Sequence, residues 1–126
     1  MAAKRRLRWA ALAWGALFLF WLPLEDVTPN AALGLAGGLC VWGAVGWTAR
    51  RDVPPARWPW LGLVAGLALA PLAAGLLVFK SGLHSHGFPD FGPRQLLDLL
   101  AGMPAWGLGG ALAGAGAWGI ANRIKR

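Results

Sequence analysis

Four stretches of this chain carry no charged residue: residues 9–24, 27–49, 58–79 and 99–122. A bilayer core about 30 Å thick takes roughly 20 apolar residues at 1.5 Å of rise each. The last three runs reach that length. The first is short, and it crosses only if Arg8 snorkels to the headgroups or the bilayer thins locally. The pattern predicts an all-α integral membrane protein, a four-transmembrane-helix bundle forming a single membrane domain over residues 1–126. The spans are expected at about 7–23, 29–49, 59–80 and 103–122, with an extracytoplasmic loop at 81–102.

The punctuation between the runs sets the boundaries. Pro23 cannot continue the first helix without loss of a hydrogen bond. Thr28 reads as an N-cap with Pro29 at the first helical position of the second. Pro54 and Pro55 keep the next connection non-helical, Pro59 opens the third helix, and Pro71 in its middle predicts a kink. Before the last span, opened by Pro104, the segment RQLLDLLAGMP predicts a short interfacial helix. Its expected apolar face is Leu96, Leu97 and Leu100, with Arg94 and Asp98 on another face.

Composition agrees: 57% of the residues are hydrophobic and 13% charged, outside the range of soluble domains. The net charge of +7 raises the question of nucleic acid, and its placement answers it. Basic residues gather as Lys4, Arg5, Arg6 and Arg8, as Arg50, Arg51 and Arg57, and as Arg123, Lys125 and Arg126. In a four-span chain those places share one side, while Glu25, Asp26, Asp90 and Asp98 share the other. Positive charge beside short loops stays cytoplasmic, so both termini are expected inside, in an inner (cytoplasmic) membrane of bacterial type. The basic side then lies against anionic lipid, and no nucleic-acid partner is needed to explain it. The basic start followed by AALAWGALFLFW imitates a signal peptide, but Trp21 to Leu24 offer no small-residue cleavage site, so an uncleaved first helix is expected. Trp9, Trp47, Trp58, Trp60 and Trp118 fall near inner ends, and Trp21 and Trp106 near outer ends, as an aromatic belt requires. Trp14 and Trp42 fall deeper and are expected to act as large packing groups.

Within the runs there is little chemistry. Residues 9–22, 31–47, 61–79 and 106–121 contain no Ser, Thr, Asn, Gln, His or charged side chain. Ion pathways need ligands or charges along their length, and a membrane-embedded protease needs a nucleophile with a base. Length and span count are similar to those of small fluoride channels and small multidrug transporters. The membrane-embedded carboxylate of the latter is missing, and no polar pore pattern like that of the former is present. Cys40, the one cysteine, reads as a small buried hydrophobe.

Polar chemistry concentrates in KSGLHSHGFPDFGP, residues 80–93, which holds both histidines. His84 and His86 with Asp90 form an H-x-H-x-x-x-D set, a candidate for zinc or another divalent metal. Structural anchoring at the membrane surface and a pH-sensing role are the competing readings of the same histidines. Lys80 is placed to meet the carbonyl end of the third helix or to pair with Asp90. Gly34 with Gly38, Gly62 with Gly66, and Gly110 with Gly114 are G-x-x-x-G pairs, which let helices approach closely in lipid. The expected function is therefore a small non-enzymatic multi-pass membrane protein. It would serve as an accessory or scaffold subunit of a larger membrane complex, or as a homo-oligomer packing through these glycine faces. The alternatives are a metal-handling protein using His84, His86 and Asp90, and a small transporter or channel for a weakly polar solute.

Overall fold

More than half of the chain is Ala, Leu, Gly and Trp, and long runs of such residues satisfy their backbone within the segment itself by coiling into helices. A computed structural model describes residues 2–24, 29–83 and 91–124, and among them the structure is helical throughout, without a strand. The helices are α1 (Ala2–Trp21), α2 (Asn30–Arg51), α3 (Trp58–Leu83), α4 (Pro93–Ala101) and α5 (Met103–Ile124), with a 3₁₀ turn at Pro55–Arg57 before α3. Three stretches, Asn30–Arg51, Pro55–Leu83 and Pro93–Ile124, are long and apolar enough to cross a membrane. Helix α1 differs because its first turns carry Lys4, Arg5, Arg6 and Arg8. Only residues 9–21 remain uncharged, a length of about 20 Å.

Local chemistry accounts for the ends. Helix α2 stops at Asp52, the one non-glycine residue with positive φ among those described (φ 46°, ψ 47°), a conformation that Asp tolerates better than most residues. Pro54 follows in extended geometry and Pro55 opens the 3₁₀ turn. Helix α3 runs through Pro71 as one continuous element. Gln95 Oε1 accepts the Gly92 N–H at 3.1 Å and closes the start of α4. The apolar face of α4 needs a correction, since Leu96 and Leu99 pack on the core while Leu97 is 63% exposed. Residues 96 and 99 are three apart and share a side; residue 97 is turned about 100° from 96.

The helices pack in chain order: α1 on α2, α2 on α3, and α3 on α5, with α4 bridging α3 and α5. Among the described residues no packing pair joins α1 or α2 to α5, so the row of helices does not close on itself. Two indole N–H groups tie α1 to α2. Trp14 donates to the Leu35 carbonyl at 2.7 Å, and Trp42 donates back to the Leu7 carbonyl at 3.0 Å. Each tryptophan stands seven residues after a leucine whose carbonyl accepts from the other helix, so the clamp is reciprocal. Both residues are thus hydrogen-bond donors as well as packing groups, and Trp14 also stacks on Phe18 with centroids 5.3 Å apart.

The α3–α5 contact is of a different kind. A Cβ placed on Gly62 would collide with the Gly110 carbonyl, one on Gly66 with the Trp106 carbonyl, and one on Gly114 with the Trp58 carbonyl. The two backbones therefore touch, which only glycine allows. Gly107 adds a further point, where a Cβ would come within 2.8 Å of Leu67.

Candidate functional site

Two places combine shape with chemistry, and the first is a groove. Where α2 begins and α3 ends, Ala32, Leu35 and Ala36 meet Ala73 and Leu77 with almost no exposed surface. Toward the connecting turn the same two helices leave a groove of about 860 Å³ between them. Its walls include Cys40, Gly43 and Trp47 of α2 and Trp60 and Ala65 of α3, with Arg57 of the turn at its edge. Trp47 and Trp60 are more than half exposed, and Arg51 lies over the Trp47 ring at 5.1 Å from its centroid. The turn is held by the Trp58 indole, which donates to the Val53 carbonyl at 3.3 Å. The lining offers a thiol, two indoles and one guanidinium; it lacks a nucleophile–base pair. The lining is mostly apolar, with its few polar groups near the turn, the make-up common to clefts that take small molecules.

At the opposite end of α3 sits the second feature, Lys80, which is 3% exposed. Its Nζ donates to the Leu24 carbonyl at 2.5 Å and stands 4.3 Å from the centroid of the Trp21 ring. Trp21 is itself buried, and its own indole N–H has no acceptor among the described residues. A buried ammonium is tolerable only where oxygen lone pairs and an aromatic face replace its water. Lys80 therefore joins α3 to the end of α1, while Phe18 and Phe79 approach with centroids 6.1 Å apart. Phe18 packs in turn against the buried cluster that contains Trp21, Leu77 and Phe91. The sequence placed Lys80 at the carbonyl end of its own helix or against Asp90; the carbonyl it meets is instead that of Leu24, just beyond α1, and its burial was not foreseen.

His84, His86 and Asp90 lie outside the described residues. Among the described residues no three His, Cys, Asp or Glu side chains gather into a metal set. The six packing glycines divide. Gly62, Gly66, Gly110 and Gly114 are brought together, Gly38 faces Trp14 across the α1–α2 contact, and Gly34 faces open space. The clamp of Trp14 and Trp42 was not foreseen, although the repeated Leu–Trp spacing of seven was there to be read. Comparison of the chain with family models, with curated proteins and with solved structures finds no match.

Proposed function

We propose that the chain is a four-span inner-membrane protein with both termini cytoplasmic, acting as a non-enzymatic accessory subunit that seats a helix of another membrane chain on α5. The observation that carries this reading is the distribution of glycine around α5. Gly107, Gly110 and Gly114 lie on one side and are spent against α3. Gly109, Gly116 and Gly119 lie roughly opposite at about 100° per residue, exposed and with nothing within 4 Å. These glycines flank the exposed Leu112 on the same side, so a partner helix could lodge this leucine and approach the backbone at the glycines beside it. The charge asymmetry of the termini and of the 50–57 connection supports the orientation. Helix α1 completes the fourth span by snorkelling of Arg8 and local thinning.

The test is crosslinking in native membranes followed by sizing in mild detergent, for the wild type and for Gly109→Leu/Gly116→Leu. The wild type is expected in an assembly larger than one chain, and the variant, still folded, as a monomer. A wild-type chain that is monomeric in both settings sinks the subunit reading.

The α2–α3 groove favours a second reading, in which the protein binds or passes an apolar or weakly polar molecule. Flux or retention of such a solute in proteoliposomes, abolished by a bulky residue at Gly43, distinguishes it.

A further inference from the structure

A second concavity, of about 420 Å³, lies where the first turns of α1 meet the last turns of α2. Lys4, Leu7, Arg8 and Ala11 line it from α1, and Trp42, Ala49 and Arg50 from α2. The hydrogen bond from the Trp42 indole to the Leu7 carbonyl fixes two of these walls relative to each other. Lys4 and Arg8 are four residues apart, so they rise from one side of α1, with Leu7 and Ala11 beside them. Arg50 answers from α2, which gives three cations around one recess. Among the described residues the carboxylates are Asp52 and Asp98, and neither pairs with any of the three. Three cations lining one recess give it a positive potential that attracts an anion.

We propose that this recess holds the phosphate of an anionic phospholipid in the cytoplasmic leaflet. Phosphate is the shared chemistry of a lipid headgroup and of free inorganic phosphate, and the apolar half of the lining decides between them. Leu7, Ala11 and the Trp42 ring continue the recess toward the interior of the α1–α2 hairpin, where an acyl chain runs and a free anion gains nothing. The site also bears on α1, the one long helix whose uncharged run is too short for the bilayer. A phosphate gripped by Lys4, Arg8 and Arg50 sets the depth at which that helix starts. This inference rests on the membrane reading of the chain but not on any partner for α5.

The experiment uses the purified full chain in mild detergent, with retained lipid counted by native mass spectrometry. The probes are phosphatidylglycerol, phosphatidylcholine and inorganic phosphate. Two variants remove the same charge: Lys4→Gln/Arg8→Gln/Arg50→Gln within the recess, and Arg5→Gln/Arg6→Gln/Arg123→Gln outside it. Wild type is expected to retain phosphatidylglycerol over phosphatidylcholine, and millimolar inorganic phosphate to leave it in place. The recess variant should lose at least about tenfold in retention and the outside variant no more than about twofold. Arg8→Lys/Arg50→Lys, which keeps the charge, should retain most of it. Equal losses in the two triple variants would reduce the effect to diffuse attraction and overturn the site. Equal retention of phosphatidylcholine, or displacement by inorganic phosphate, would overturn the assignment to a phospholipid anion. Carbonate extraction of native membranes separates this from the larger reading, since release of the chain would refute membrane insertion whatever the recess does.

Discussion

Helix α3 has two neighbours, and small residues serve it in opposite ways on its two sides. Against α5, the facing residues fall on one antiparallel register: 62 against 110, 66 against 106, and 58 against 114. Glycine meets backbone at each of these points, and the helices close to contact. Against α2, small residues are as plentiful, yet Gly43 and Gly46 meet nothing, and a groove remains where Trp47 and Trp60 stand at its edges. A glycine permits close approach; it does not cause it. The approach occurs only where the facing helix presents a smooth surface in the same register, because backbone contact gains dispersion energy only when both surfaces fit. One side of α3 therefore reads as a fixed seam and the other as an adjustable one.

The sharpest way to break this contrast is a methyl group in the seam. Gly66→Ala puts a Cβ into the Trp106 carbonyl, and the obstacle is backbone, which cannot rotate away. Overpacking a core costs about 1–3 kcal/mol where side chains can shift, so Gly62→Ala/Gly66→Ala is expected to cost about 3 kcal/mol or more. Reversible unfolding in mixed detergent micelles measures it. A double variant with the wild-type midpoint would mean that the α3–α5 seam is not closed.

Second in size comes Lys80, at the other end of the same helix. Lys80→Met keeps the length and apolar stem of the side chain but removes the bond to Leu24 and the cation over Trp21. A charge-assisted hydrogen bond and a desolvated cation–π contact are each worth about 2 kcal/mol, set against the cost of burying the ammonium. A net loss of about 2 kcal/mol is expected, with faster amide exchange at the α1 end of the contact and unchanged exchange in the seam. Uniform acceleration along α3 would show that Lys80 supports the whole helix rather than this corner.

These two sites also mark how far the sequence could be read. Helix order, the 3₁₀-containing connection at Pro54–Pro55, and the short amphipathic segment before the last span follow from runs and prolines, whose effects are local. Pairing does not follow in the same way. Gly34–Gly38, Gly62–Gly66 and Gly110–Gly114 are indistinguishable as motifs, and only register with a neighbour separates the second and third from the first. Burial of Lys80 was hidden because it depends on where Leu24 and Trp21 stand, 56 and 59 residues earlier. The open row had no sequence signal either, since nothing in α1 or α5 alone says that the two do not meet. Within the 80–93 segment Lys80 is placed by the fold, whereas His84, His86 and Asp90 lie outside the described residues.

The smallest expected effect is the most direct control on the comparison. Gly43→Ala places the same methyl group on α2 that Gly66→Ala places on α3, but into open space within the groove. Backbone freedom then decides the sign. Glycine in a helix interior is less favourable than alanine by roughly 0.5–1 kcal/mol, because the unfolded chain loses more entropy on folding. Stability should therefore rise slightly, by at most about 1 kcal/mol. Two methyl groups of identical chemistry would then move the unfolding midpoint in opposite directions, separated by several times the smaller shift. A Gly43→Ala chain as damaged as the seam variant would mean that something packs against that wall of α2, and the groove would have to be redrawn as a filled contact.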